Sequence, residues 1–421
     1  MAKLHTNFTG PATVVPPVDQ DIDRYITAHP DGNFDEVLKA EDRWPVFYHL
    51  SDMRTGLLGW YELPPKADVL EIGAGFGALT GQLSDMAGHV TVIQNTGSFK
   101  LRGAYNKISQ MSAEERQKGV ITASAGNHAQ GVAFSAQKLR VKAVICMPAT
   151  TPILKVEATR AYGAEVVLHG DTFDDAYAKS LELQREKGFV YIHPFNDREV
   201  LLGQGTVAKE IIDDCPDIDA ILVPIGGGGL ASGVAMATKL VNPHVRVIGV
   251  EPAGAASMEA AFAAGKVTTL PAVDTVADGC AVKTVGELTY AFCRKYLDEI
   301  VTVSELEIMS ALLSLIEKHK LIAEGAGVLS LAAVAKLSLK GKKAAAILSG
   351  GNIDISTISA LINKALIARG RVFCFAVQLP DKPGQLLHVS QILAEEDANV
   401  IRLDHNQAMV TDSFKKVQLT V

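Results

Sequence analysis

The five cysteines, Cys146, Cys215, Cys280, Cys293 and Cys374, are odd in number, and no two stand in C-x-x-C spacing. This leaves no disulfide framework and points to free thiols in a reducing compartment. Aromatic residues are scarce, at 6%, and both tryptophans, Trp44 and Trp60, lie in the first sixty residues. No apolar run approaches the length of a membrane span. The opening Met-Ala-Lys-Leu-His-Thr lacks the apolar core of a secretory signal. A cytoplasmic protein with no membrane partner is expected. A basic excess is missing as well: the formal net charge is −7, which argues against a nucleic-acid partner. What remains is ordinary globular composition, 48% hydrophobic and 21% charged, in 421 residues, enough for two or three domains.

From Lys66 onward, short β-branched runs alternate with helical patterns. The apolar runs are Asp68–Ile72, 90–93, 119–122, Ala143–Met147, Glu165–Leu168, 220–225, 245–250 and 344–348. Between most of them sit amphipathic stretches such as 152–162, Phe173–Lys187 and 205–213. This alternation predicts an α/β fold with largely parallel sheets, whose strands are buried on both faces and so read as continuous apolar runs. The end differs. A strand at 373–379, a turn at Asp381-Lys382-Pro383-Gly384, a helix at 385–396 and strands at 400–403 and 416–421 give β-α-β-β, a piece of an α+β ferredoxin-like unit.

Four segments carry chemistry: Thr96-Gly97-Ser98-Phe99-Lys100-Leu101-Arg102-Gly103, Ser124-Ala125-Gly126-Asn127-His128, Gly226-Gly227-Gly228-Gly229-Leu230 and Ser349-Gly350-Gly351-Asn352. The four consecutive glycines follow a buried strand and open a helix at 230–240. Residues without Cβ let several N–H groups converge on one anion, and the helix N-terminus adds favourable partial charge. Phosphate binding is the functional reading, and close helix–strand packing is the structural one. No Gly-Lys-Ser/Thr follows, so this is not a Walker loop. Taken alone, Lys100 reads as a surface charge and His128 as a capping or packing residue. Their order along one chain changes the weighing.

Residues 94–370 resemble the fold-type-II pyridoxal-phosphate enzymes, a tryptophan-synthase-β-like fold of two open parallel-sheet domains, and among them most resemble the threonine ammonia-lyases (threonine dehydratases). Residues 371–421 resemble part of an ACT regulatory domain. The resemblance implies pyridoxal 5'-phosphate as cofactor, a small amino acid as substrate and a homo-oligomer. It implies that Lys100 forms the Schiff base and then acts as the base at Cα, and that Phe99 packs beside the ring. Asn127 would hydrogen-bond the ring hydroxyl, Gly226, Gly227, Gly228, Gly229 and Leu230 would hold the phosphate, and Ser349 would face the pyridine nitrogen. Ser124, Ala125, Gly126, Asn127 and His128 would grip the substrate carboxylate. Similar serine racemases carry a second serine where this chain has Ala125, which favours a lyase. The racemase metal position would fall on Glu251, the Ala255 carbonyl and Ser257, where the racemase pattern has Asp. Glu251 is read as a structural residue at a strand end, and no metal is expected.

Residues 1–93 resemble something else. The run from Ala67 to Thr80, with Gly73, Gly75 and Gly77, looks like the first strand and glycine loop of a class I S-adenosylmethionine-dependent methyltransferase. Gln94 stands where that family places an acidic residue, and the lyase-like sequence begins there. The expectation is that His89–Ile93 pairs into the lyase sheet in place of a strand the family normally has there. The leading function is dehydration and deamination of L-threonine to 2-oxobutanoate and ammonia. The alternatives are L-serine as substrate, a fusion that binds cofactor or amino acid without turnover, and methyl transfer.

Overall fold

The computed structural model describes residues 96–406 and 415–421, the strands Lys3–His5, Asp68–Ile72 and His89–Ile93, and the single positions Arg24 and Ala28. Trp44, Trp60, the glycine loop at 73–80 and Gln94 lie outside the described residues. The chain forms two compact units, Met1–Ile353 and Asp354–Val421.

In the first unit, β1 (Lys3–His5), β2 (Asp68–Ile72) and β3 (His89–Ile93) make a parallel sheet of order β1-β3-β2. This corrects the expectation that His89–Ile93 enters the lyase sheet. β3 pairs with β2 from Asp68↔His89 to Ile72↔Ile93 on one edge and with β1 from Lys3↔His89 to His5↔Thr91 on the other. A strand paired on both edges has no ladder groups left for a third neighbour.

Two further parallel sheets hold the lyase-like part. β4 (Val120–Ala123), β5 (Ala143–Met147), β6 (Glu165–Leu168) and β7 (Val190–Tyr191) run in the order β6-β5-β4-β7. β8 (Ala220–Pro224), β9 (Arg246–Pro252), β10 (Glu299–Val303) and β11 (Ala344–Ala346) run in the order β10-β9-β8-β11. The α/β architecture with parallel sheets is the expected one. The central strands are buried along their whole length and serve two cores by turns. Ala143, Ile145 and Met147 face the core shared with Ala129, Val132 and Ala133, whereas Val144 and Cys146 face Ala176 and Phe189. That alternation is the two-residue period of a strand covered on both sides.

Helix Lys100–Ser109 is held against helix Arg198–Asp214 at a crossing without side chains. A Cβ on Gly103 would meet the Val200 carbonyl at 2.6 Å, and one on Gly203 would meet the Arg102 carbonyl at 2.6 Å. Ion pairs fasten the rim: Lys107 reaches Asp197 (3.2 Å) and Glu199 (3.0 Å), and Arg102 grips both carboxylate oxygens of Glu210 (2.5 and 2.7 Å). Asp197 also caps its helix by accepting from the Val200 amide (3.1 Å). These contacts set where Lys100, the first residue of its helix, stands.

The second unit has helix Ile355–Ala368, capped by Asp354, then β12 (Ala376–Pro380), helix Gln385–Glu395, β13 (Asp404–Asn406) and β14 (Lys416–Thr420). Its sheet is antiparallel in the order β12-β14-β13. The strand expected at 400–403 lies instead at Asp404–Asn406. The register sets Asp404 opposite Thr420, so residues 400–402 fall past the end of β14 and have no ladder. Val400 and Ile401 are exposed there. Among the described residues, no helix is long and apolar enough to cross a membrane.

Candidate active site

Residues 96–99 are laced to residues 349–352. Phe99 donates its amide to the Ser349 carbonyl (3.1 Å), Gly351 donates to the Gly97 carbonyl (3.0 Å), and Ser98 and Gly350 form an antiparallel bridge. Asn352 closes the join by donating Nδ2 to the Thr96 carbonyl (2.6 Å). The first and fourth of the sequence segments are thus one structure. The second is tied to it by Asn127, whose Oδ1 accepts from Asn352 Nδ2 (2.6 Å) and whose Nδ2 donates to Glu324 Oε1 (2.6 Å).

The glycine segment follows β8. Its close neighbour is Phe195: a Cβ on Gly227 would lie 2.3 Å from that ring, and one on Gly229 would lie 2.9 Å from its Cα. Gly228 has φ +91°, a conformation that suits glycine. Thr289 Oγ1 donates to the Gly227 carbonyl (2.7 Å) and Ser232 Oγ to the Gly228 carbonyl (2.7 Å). With the carbonyls turned to these hydroxyls, helix Gly229–Val241 begins with no side-chain cap and no acidic residue in its first turn. Leu230 and Phe99 pack in the same core. Lys100 Nζ donates to the Pro194 carbonyl (2.9 Å), one residue from Phe195, which links the lysine to the glycine segment.

Burial lowers Lys100 to about 8, with Cys280 and Glu324 pulling it back up. An amine at that value is largely neutral at mildly alkaline pH, as a nucleophile and a base both require. His128 is buried and donates Nε2 to the Ile192 carbonyl (2.8 Å), while burial and then the nearby Lys100 hold it down to about 3. Ser124 Oγ accepts from the Gly126 amide (3.2 Å), and space is open where a Gly126 side chain would start. Ser349 is buried, with Oγ 3.4 Å from the Ala326 carbonyl. Glu251 accepts from the Met258 and Glu259 amides (2.8 Å each), which ties it to the first turn of helix Ser257–Ala264. Among the described residues, no group of three or more His, Cys, Asp or Glu could hold a metal.

Sequence reasoning missed three contributors, Glu324, Cys280 and His193, and placed a fourth, Asn352, in its segment without a role. Glu324 is pushed up to about 7 by burial, against the hydrogen bond from Asn127. Cys280, at 5% exposure, packs under Gly226, and burial pushes its thiol up to about 12. His193 accepts the Phe195 and Asn196 amides at Nδ1 (3.2 and 2.8 Å). Asn352 is the join described above. A signal for Glu324 was available: it is the lone charge in the small and apolar run Leu321–Val334.

Residues 92–350 match the family model described as pyridoxal-phosphate dependent enzyme. The chain is 48% identical over 330 residues to the L-threonine ammonia-lyase of Thermotoga maritima, covering 78% of this chain and 82% of the relative. It is 47% identical over 273 residues to the catabolic L-threonine dehydratase of Escherichia coli, covering 64% and 83%. Among solved structures, the processed threonine deaminase isoform 2 of Solanum lycopersicum is 46% identical with a TM-score of 0.63, covering 65% of this chain and 80% of that one. Maize serine racemase is 38% identical with a TM-score of 0.60, covering 65% and 85%.

Proposed function

Since the chain belongs to the pyridoxal-phosphate dependent enzymes, we propose that it removes water and ammonia from L-threonine, giving 2-oxobutanoate. One observation carries the reading: a lysine lowered to about 8 is held by one network beside a glycine turn, Asn127 and Ser349. The residues present fit the cofactor. A Cβ on any of the four glycines would strike Cys280, Phe195, Met258 or Thr289, so the turn keeps its shape only with glycine, and the helix behind it opens with uncapped amides suited to a phosphate.

When bound, pyridoxal phosphate supplies an electron sink for the Cα electron pair. The chain's own residues do the rest. Gly226 to Gly229 and Leu230 would hold the phosphate by backbone amides and the helix end. Lys100 Nζ would be the attachment point for the cofactor, and its lowered proton affinity would suit it to take the Cα proton. Phe99 would pack beside the ring, and Asn127 would donate to its hydroxyl. The Ser349 hydroxyl would face the pyridine nitrogen. A hydroxyl there does not keep that nitrogen protonated as a carboxylate would, which favours departure of the β-hydroxyl over transamination. Ser124 to His128 would hold the substrate carboxylate through backbone amides and the Ser124 hydroxyl. Ala125 offers no acid for the second face of Cα, which supports a lyase.

L-Serine is a second substrate on this reading, because one methyl group is worth only about 1–3 kcal/mol of discrimination. The same reading takes the protein as a cytoplasmic homo-oligomer. It takes 371–421 as part of an ACT-like regulatory unit built on the Asp381–Gly384 turn, and 1–93 as a methyltransferase-like remnant. The test is 2-oxo acid formation from threonine and serine, with S-adenosylmethionine as a control for the remnant. The absence of any 2-oxo acid from a chain loaded with cofactor overturns the proposal.

A further inference from the structure

Three hydrogen bonds run in one direction through the site. Asn352 Nδ2 spends both hydrogens, one on the Thr96 carbonyl and one on Asn127 Oδ1 (2.6 Å each). Asn127 Nδ2 then donates to Glu324 Oε1 (2.6 Å). A carbonyl can only accept, and so can an ionised carboxylate, so both ends of the chain have fixed polarity. Turning the Asn127 amide over would set nitrogen against the Asn352 nitrogen and oxygen against the Glu324 carboxylate, two repulsions at once. In the observed sense, one Asn127 N–H goes to Glu324 and the other remains to donate elsewhere. The carboxylate has a place made for it: a Cβ on Gly350 would sit 2.4 Å from Glu324 Oε1, and the Glu324 amide donates to the Gly350 carbonyl (3.1 Å).

We propose that Glu324 is a positioning residue of the elimination site, which locks the Asn127 amide so that its free N–H is presented to the cofactor's ring hydroxyl. This rests on the roles given above to Lys100 and Asn127. The other ionisable groups facing Glu324 are Lys100, Lys155 and Asp278, with Cys280 across from it. A carboxyl raised to about 7 by burial is poised to lose its lock in acid, since a protonated carboxyl can donate as well as accept.

The test is a double-mutant cycle on the full-length holoenzyme with Glu324→Gln, Asn127→Ala and both together. Two properties are read: turnover of threonine, and the ratio of visible to near-ultraviolet absorption of the bound cofactor. Losing the donor to the ring hydroxyl favours its neutral form, so the visible share falls. In E324Q, kcat should drop about tenfold, with KM changed less than about threefold, and the visible share should fall. On the Asn127→Ala background, the same substitution should change each quantity less than about twofold, because the two residues act as one unit. Glu324→Asp should recover most of the visible share, and a cycle built on Glu324→Ala serves if E324Q does not fold. Equal fractional losses on both backgrounds, or a wild-type spectrum and kcat in E324Q, overturn the proposal. A wild type that takes up no pyridoxal phosphate refutes the site reading and this proposal together. A wild type with the visible band that leaves threonine untouched refutes only the substrate, and the spectral cycle still decides on Glu324.

Discussion

His128 makes a quantitative prediction about acid. Burial drops its ring from the ordinary 6.5 to about 3. Between those values the unfolded chain binds a proton that the folded chain refuses. The stabilisation is therefore full above pH 6.5 and is lost as pH falls toward 3. At pH 5, against pH 8, this one ring costs about 2 kcal/mol. His193, lowered to about 4 by burial and then Lys100, costs about 2 kcal/mol more over the same interval. Two carboxyls act in the opposite sense. Glu251 and Glu324, each raised to about 7, contribute fully below 4.5 and lose that contribution as pH rises through 7. Acidification from 8 to 5 returns about 2–3 kcal/mol from each. The wild-type curve is thus expected to be nearly flat from these four groups, and only a difference between variants resolves one of them. His128→Gln can keep a donor to the Ile192 carbonyl and does not titrate. Urea unfolding of the cofactor-free chain, followed by far-ultraviolet circular dichroism at pH 8 and 5, gives the comparison. The stability of H128Q relative to wild type should rise by about 2 kcal/mol on going to pH 5. Parallel behaviour of the two proteins, within about 0.5 kcal/mol, would refute the burial argument.

Other outcomes follow from the site. Lys100→Ala should abolish 2-oxobutanoate formation and the visible cofactor band while leaving the circular dichroism spectrum unchanged; turnover in a clean preparation contradicts the attachment role. Gly227→Ala places a Cβ against the Phe195 ring, and overpacking of about 1–3 kcal/mol should weaken cofactor affinity by roughly 10- to 100-fold; an unchanged dissociation constant by equilibrium dialysis contradicts the cradle. Ala125→Ser supplies the missing acid and should raise exchange of the substrate Cα proton with deuterated water, seen by proton NMR; no increase over the parent removes Ala125 as the discriminator.

What the sequence disclosed tracks how local the cause is. Ala143–Met147 could be read as a strand because burial on both faces leaves five apolar residues in a row. β7, two residues long, and β10, with Glu299 at its head and only Val303 fully buried, lie at sheet edges where that pressure is relaxed, and neither was anticipated. The lysine, glycine and serine segments were visible because each bears an unusual local pattern. Glu324 offered only the weaker signal of a lone charge in an apolar run, since its partner Asn127 lies 197 positions away and a single acid has no period. The pairing of His89–Ile93 was misjudged for the opposite reason. Its character suits any buried parallel strand, and only the five-residue register with β2 decides which sheet it joins.

Asn352 and Thr96 are 256 residues apart, and this separation orders events during synthesis. At about 5–20 residues per second, roughly 10–50 s pass between the emergence of the two. For that interval Ser349 and Gly350, which pair with Phe99 and Ser98 beside Lys100, have not been made, and the burial that lowers the lysine's proton affinity is incomplete. Cofactor reaching a nascent chain finds no cradle to distinguish this lysine from the others. Pyridoxal phosphate therefore binds the finished site and stabilises it by mass action, with selectivity for one lysine arising only after the last of the four segments has left the ribosome.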